Sequence, residues 1–242
     1  MKTSIVIPTY NEKENLPLIV GSLFELKIPD LQVLVVDDNS PDGTGDIAEK
    51  LKKQYSGAVS VMHREGKKGL GTAYLEGFKF CLDKGAEQIV QMDADFSHNP
   101  EKVISLLEGL KEKDMVLGSR YVPGGSLDER WAFWRKGLSS FGNYYARVIL
   151  RMPILDVTGG FRAWRRDTLL GIPLNRVRSQ GYAFQVEMAY ITHLCGYKIK
   201  EIPIYFADRT RGDSKMSLNI QIEAARRVWS ILYEYKDLIN KE

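Results

Sequence analysis

Residues 91–100 read QMDADFSHNP and follow directly on Gln88-Ile89-Val90. Side chains alternate along a strand, so Asp93 and Asp95 project from one edge where the strand frays into its loop. Two carboxylates that close repel each other unless a cation lies between them. Their hard oxygens suit Mg²⁺ or Mn²⁺, and an ion held by one or two protein carboxylates completes its shell with substrate phosphates. A D-x-D in an ordinary loop is more often a pair of solvated turn residues. Its place at the end of a central strand favours the metal.

Two further stretches carry chemistry. In VLVVDDNSPDGT, 33–44, an apolar strand ends in Asp37-Asp38 and a turn follows. Asp38 is placed to hydrogen-bond a nucleobase or ribose edge, or to cap the next helix. A phosphoacceptor receiver domain also uses an acidic pair, but at the end of its first strand, and here that strand ends in Pro8-Thr9-Tyr10-Asn11-Glu12. The basic stretch REGKKGLGTA, 64–73, matches neither the phosphate-loop nor the dinucleotide fingerprint. Gly69 and Gly71 are expected to open a helix carrying Ala73, Leu75 and Phe78. Of the histidines, His98 borders the acidic loop and is placed to meet phosphate, whereas His63 and His193 are expected to be structural.

These residues need a scaffold. From residue 4 to 121, β-rich runs at 4–8, 32–38, 59–64, 88–93 and 115–121 alternate with amphipathic helical periods, the pattern of an α/β fold with a mostly parallel sheet. Leu16, Ile19, Val20, Leu23 and Leu26 predict one buried helix face, and Val103, Ile104, Leu107 and Leu110 another. Asn99-Pro100 reads as the cap and first residue of that second helix. In an open α/β sheet ligands bind at the carboxyl ends of strands, so the loops after strands one, two and four should converge. Beyond 121 the alternation weakens. An aromatic and basic helix is expected near 131–152, a helix near 184–194, a strand at 198–206 and a terminal helix at 218–239.

The chain has 242 residues, 44% hydrophobic and 27% charged, which fits a single globular domain spanning 1–242. A net charge of +3 gives no argument for nucleic acid. Cys81 and Cys195, the only cysteines, fall in apolar helical patterns and are expected to be reduced core thiols. The first residues enter a strand pattern without the roughly 7–15-residue apolar region of a signal peptide. No apolar run reaches the roughly 18–20 residues that span a bilayer.

Taken together, IVIPTYNE, VVDDNSPDGT, GLGTAYLEG, MDADFSHNP, GSRYVPGG, TGGFRAWRR and ADRTRGDSK resemble, in this order and over nearly the whole chain, the motifs of family 2 glycosyltransferases. The later motifs are most similar to those of the dolichyl-phosphate mannosyltransferase branch. The resemblance implies the GT-A fold, with 1–121 binding the nucleotide sugar and 122–242 the acceptor. It implies that Pro8, Tyr10, Glu12, Val36 and Asp38 hold the guanosine of GDP-mannose, and that Asp93, Ala94 and Asp95 bind diphosphate, sugar and metal. Ser97 stands where some relatives have Gln and is carried over as a third metal ligand. Arg120, Arg209 and Lys215 match phosphate-handling positions, and Asp95 and Arg120 would be catalytic. The processive Q-x-x-R-W string is absent, so one sugar per acceptor is implied.

The implied acceptor is dolichyl or another polyprenyl phosphate. Such a phosphate is already anionic and needs no general base; it needs cations that offset repulsion between two negative substrates. Arg120 and Arg135 are the expected grips, with Ser139 one helical turn beyond Arg135 as a neutral donor. Trp131, Phe133, Trp134, Leu138, Phe141, Tyr144, Tyr145, Val148 and Ile149 with flanking cations predict an interfacial helix, or one packed on the sheet. The terminal helix is expected on a bilayer, on a membrane-spanning partner, or packed on the domain. The expected location is therefore peripheral, on the cytoplasmic face of a membrane. UDP-glucose as donor to the same kind of lipid is the alternative enzyme, and a noncatalytic nucleotide-sugar scaffold the alternative of another class.

Overall fold

The computed structural model of the chain describes residues 1–208 and 218–239. Nine strands and nine α-helices are assigned among them. The first half alternates as its sequence period demands: β1 (Thr3–Thr9), α1 (Leu16–Glu25), β2 (Leu31–Asp37), α2 (Thr44–Gln54), β3 (Val59–His63), α3 (Leu70–Asp83), β4 (Gln88–Gln91), α4 (Lys102–Gly109) and β5 (Met115–Ser119). The second half adds β6 (Ser126–Leu127), α5 (Phe133–Leu150), β7 (Arg162–Arg165), α6 (Arg166–Gly171), α7 (Gly181–Leu194), β8 (Ile199–Pro203), β9 (Tyr205–Phe206), α8 (Leu218–Glu234) and α9 (Lys236–Ile239).

The main sheet has seven strands in the order β3-β2-β1-β4-β7-β5-β8, and β6 pairs with β9 apart from it. All neighbours in the main sheet are parallel except those of β7, which runs antiparallel to both β4 and β5. The chain moves outward from β1 to β3 and returns to β4 on the other side of β1. This is the topological switch point, where the strand ends open a crevice.

Alternation along the central strands divides the core. On one face Val6, Leu34, Val36, Ile89 and Leu117 pack with Tyr74, Phe78 and Phe184; on the other Ile5, Ile7, Val33, Val35 and Val90 pack with Leu16, Ile19, Leu23, Val103 and Leu106. The expected face of α1 is buried at Leu16, Ile19, Val20 and Leu23. That of α4 is shifted. Ile104 is exposed and Leu106 is buried, so the inward stripe runs Val103, Leu106 and Leu110 in a frame that begins at Lys102. Asn99 Oδ1 accepts from Glu101 N at 3.0 Å, so a side-chain turn occupies 99–101 before that frame starts.

β7 is the strand of the main sheet that the sequence reading does not contain, and β6 and α6 are absent from it too. Arg162 opens it and is fully buried, a residue type that normally marks a solvated loop. Burial is possible because its guanidinium donates to the carbonyls of Gly159, Gln185 and Val157 at 2.8, 2.7 and 2.8 Å.

Cys81 is buried and Cys195 partly buried, both as free thiols, and burial pushes the Cys81 thiol up to about 12.

Candidate active site

The loops after β1 and β2 are stitched together by side chains. Asn11 N donates to Ser40 Oγ at 3.1 Å, Glu12 N to Thr44 Oγ1 at 2.9 Å and Lys13 N to Asp42 Oδ2 at 3.2 Å. Asn11 and Asn39 take positive φ angles of 64° and 56°, a conformation that asparagine tolerates better than most residues. Asp37 is internal to this stitching, accepting from Thr9 Oγ1 at 3.0 Å and Ser40 Oγ at 2.6 Å. Tyr10 lies beneath the Lys67 ammonium, 4.2 Å from ring centre to Nζ.

Asp38 does not stand alone as a ligand for a nucleoside. It is buried and paired at 2.5 Å with Arg64, which the sequence reading left unassigned within the basic stretch. Arg64 also donates to Thr72 Oγ1 at 2.5 Å and lies 3.3 Å from Glu76. Burial raises the Asp38 carboxyl above its ordinary value, against the opposing pull of Arg64. Val36 requires a correction. It has no exposed surface and packs above Gly77, so its side chain lies in the core and does not line the crevice.

At the end of β4 both carboxylates accept side-chain hydrogen bonds. Tyr74 donates to Asp93 Oδ1 at 2.8 Å, and Ser97 donates to Asp95 Oδ1 at 2.6 Å through Oγ and at 3.0 Å through its backbone N–H. Burial and the neighbouring Asp93 hold the Tyr74 phenol well above its ordinary value, so it remains a donor. Two oriented carboxylates with a neutral support each fit a divalent ion that draws its remaining ligands from a diphosphate. Among the described residues no group of three or more His, Cys, Asp and Glu side chains converges on a metal position. Ser97, expected as a third ligand, donates its hydroxyl proton to Asp95, which leaves the lone pairs of its oxygen for an ion.

His98 is corrected. It is buried beneath the acidic loop and stacked on Phe161 with ring centres 4.9 Å apart, and burial lowers its tendency to hold a proton. A neutral ring in that position packs the loop and does not reach solvent for a phosphate. His63 pairs with Glu49 at 3.1 Å on the surface of the sheet edge. His193 lines a cavity of about 270 Å³ with Pro153, Tyr197 and Glu201, apart from this site.

Arg120 follows β5 and is buried. Its Nε and Nη2 bind the two oxygens of Asp156 at 2.7 Å each, its backbone N–H binds Asp156 Oδ2 at 2.9 Å, and Nη2 also donates to Thr158 Oγ1 at 2.7 Å. Burial disfavours the Asp156 anion, but the adjacent guanidinium overrides this and keeps the carboxyl below its ordinary range. The Arg120 guanidinium lies 5.3 Å from the ring centres of both Tyr121 and Phe206. Arg135, on α5, lies 3.8 Å over Trp131 and 3.3 Å from Asp208. Trp131 packs edge-on against Phe206, and Tyr121 shares a 3.0 Å hydrogen bond with Ser139. Arg120, Arg135 and Ser139 are therefore gathered around Tyr121, Trp131 and Phe206. Arg209 and Lys215 lie outside the described residues.

Asp156 was missed, and it is the residue that aims Arg120. Its loop is held from two elements: Asn143 of α5 donates through Nδ2 to Leu155 O and accepts from Val157 N at 2.8 Å. Glu201 of β8 accepts from Leu155 N at 2.7 Å and Asp156 N at 2.8 Å. The same loop reaches the acidic pair. Thr158 touches Arg120, while a β-carbon placed on Gly160 would lie 3.7 Å from Asp93 Oδ2. Successive Cα atoms are about 3.8 Å apart, so the Cα atoms of Thr158 and Gly160 lie within about 8 Å of each other, one residue adjoining Arg120 and the other Asp93.

The family model for glycosyl transferase family 2 matches residues 4–170. Over 240 residues the chain is 45% identical to an undecaprenyl-phosphate mannosyltransferase of Micrococcus luteus, covering 98% of each chain. It is 46% identical over 233 residues to a polyprenol monophosphomannose synthase of Mycolicibacterium smegmatis, covering 95% of this chain and 87% of the relative. Among solved structures, mannosyl-3-phosphoglycerate synthase of Rubrobacter xylanophilus superposes with a TM-score of 0.70 at 18% identity, over 98% of this chain and 75% of that one. Glucosyl-3-phosphoglycerate synthase of Mycobacterium tuberculosis, crystallised with Mn²⁺, UDP and phosphoglyceric acid, gives a TM-score of 0.68 at 18% identity, over 97% and 78%. The shared fold is the GT-A architecture expected from the motifs.

Proposed function

The chain belongs to glycosyl transferase family 2, and from that premise we propose that it transfers mannose from GDP-mannose to a polyprenyl phosphate, dolichyl phosphate included. The observation that carries this reading is the 158–160 loop, whose Thr158 bonds Arg120 and whose Gly160 adjoins Asp93. The names of the two full-length relatives support mannose and a polyprenyl phosphate acceptor.

In this reading the loops after β1 and β2 hold the nucleoside, with Asp38, Arg64, Tyr10 and Glu12 at the crevice. Asp93 and Asp95 would hold Mg²⁺ or Mn²⁺, which supplies positive charge at the leaving diphosphate. The acceptor phosphate lies against Arg120, Arg135 and Ser139. One of its anionic oxygens attacks the anomeric carbon, the bond from that carbon to the diphosphate breaks, and GDP leaves with the electron pair. No proton is removed from the acceptor, so no base is required. A single displacement inverts the α-linked sugar to a β-linked phosphodiester.

The lipid is reached through α5. Trp134, Phe141, Tyr144 and Val148 share its outer face, with Phe133 91% and Trp134 70% exposed, and Trp229 and Tyr233 of α8 stand exposed beside them. Trp229 Nε1 donates to Tyr145 OH at 2.9 Å, which ties the two helices together. Among the described residues no helix is long and apolar enough to cross a membrane. An aromatic face of this kind beside Lys136 and Arg151 suits the headgroup boundary of a bilayer.

Kinetics with the two substrates varied separately test the division of labour. Arg135→Ala should raise the KM for the lipid phosphate about tenfold with donor affinity unchanged, and Asp95→Asn should lower kcat at least 100-fold with the fold intact. Equal losses toward donor and acceptor in the Arg135 variant would remove it from the acceptor grip, and full activity of the Asp95 variant would remove the carboxylate pair from the reaction.

A further inference from the structure

The stretch REGKKGLGTA fits no phosphate-binding fingerprint, yet it carries glycines at 69 and 71. One neighbour accounts for both. A β-carbon on Gly69 would come within 2.5 Å of Gln180 Oε1, and one on Gly71 within 2.5 Å of Ser179 O. Gly69 also takes a φ of +97°, which favours glycine. The corner formed by residues 179–180, at the entrance to α7, therefore presses directly on the start of α3. Across this contact Gly71 N donates to Gln180 Oε1 at 3.1 Å. Gly71 lies in the first turn of α3, where main-chain N–H groups find no partner within the helix, and the cap residue, Gly69, has no side chain to supply one. Gln180 supplies it from 109 residues away.

The corner is anchored on its far side. Ser179 is buried, its N–H donates to Glu187 Oε2 at 2.8 Å, and its Oγ accepts from Arg227 Nε of α8 at 2.8 Å. Glu187 is buried within α7 and also accepts from the Tyr235 hydroxyl at 2.8 Å. On its near side the stretch that opens α3 is bound to the loops after β1 and β2. Arg64 holds Asp38 and Thr72 at 2.5 Å each and donates to Gly69 O at 3.4 Å. Lys67 lies over Tyr10, and Glu65 O accepts from Asn39 Nδ2 at 3.4 Å.

We propose that Gln180 is a positioning residue for the sugar-nucleotide donor: by capping α3 it fixes the Gly69–Thr72 turn, and through that turn it holds Arg64 on Asp38 and Lys67 over Tyr10. This rests on the donor reading above, in which those loops hold the nucleoside. The route runs through α3 into the nucleoside loops, so the effect falls on the nucleotide and not on the lipid phosphate. A carboxylate would serve in place of the amide, because an anion at a helix N-terminus accepts from the same N–H and is favoured by the helix dipole.

Two substitutions separate this role from packing. Gln180→Leu removes the acceptor oxygen, Gln180→Glu keeps it, and the residue is exposed, so neither change opens the core. With Mg²⁺ present, calorimetry should show GDP binding about tenfold more weakly to Gln180→Leu and within about threefold of wild type to Gln180→Glu. At saturating donor the KM for a short polyprenyl phosphate should stay within about twofold in both. The Gly71 amide should exchange with solvent about tenfold faster in Gln180→Leu. Unchanged exchange of that amide would overturn the cap whatever the nucleotide. Unchanged GDP binding in the leucine variant, equal losses toward donor and acceptor, or no recovery with glutamate would overturn the positioning role. A wild type that binds UDP and not GDP would instead overturn the donor reading, and the same comparison run with UDP then decides Gln180.

Discussion

At the residue scale the site is a set of charges each given a partner inside the protein. Arg120 has Asp156, Asp38 has Arg64, and Asp93 and Asp95 have Tyr74 and Ser97. Such pairing fixes direction, and breaking a buried pair by removing one member costs about 3–5 kcal/mol. Asp156→Asn should therefore lower thermal stability and weaken acceptor use together. The sign of its pH dependence follows from the depressed carboxyl. Because the folded pKa lies below the ordinary 3.8, the stabilisation is complete above that value and fades as pH falls through the lower folded one. The melting difference between wild type and Asp156→Asn should stay constant from pH 7 to 5 and narrow only below the ordinary 3.8; closure already at pH 5 would contradict the pairing. The carboxylate pair was legible in the sequence because spacing two on a strand end has one geometric meaning. Asp156 and Arg64 were not, because their partners lie 36 and 26 residues away.

At the scale of elements, the first five strands fell where alternation put them, within a few residues at their ends. β7 escaped because its opening arginine is satisfied by three carbonyls, and hydropathy does not register that. α5 is the element on which the account depends most. Its outer face carries the exposed aromatics, and its inner face carries Asn143, which holds the loop that aims Arg120. The two faces make separable predictions. Replacing Phe133, Trp134 and Phe141 with Ser should abolish sedimentation with anionic vesicles and leave transfer to a short, water-soluble polyprenyl phosphate within twofold. Asn143→Leu should do the reverse, leaving vesicle binding intact and raising the KM for that soluble acceptor about tenfold, since it strands Leu155 O and Val157 N at a cost of roughly 1–3 kcal/mol. A loss of both functions in either variant would show that the faces are not independent.

At the scale of the molecule, the switch point between β1 and β4 puts the loops after β1 and β2 on one side of the crevice and Arg120 with Asp156 on the other. The Thr158–Gly160 loop spans them. The fold class was legible early because a βα alternation admits few arrangements, while the meeting of the two halves depended on a strand inserted in reverse. The central claim is chemical and is tested most directly by chemistry. Labelled GDP-mannose and labelled UDP-glucose would each be incubated with a short polyprenyl phosphate, with Mg²⁺, with Mn²⁺ and with a chelator. The account predicts label in the lipid from GDP-mannose, only with metal, and a β-linked product. Transfer from UDP-glucose alone, or mannose transfer undiminished by the chelator, would contradict it.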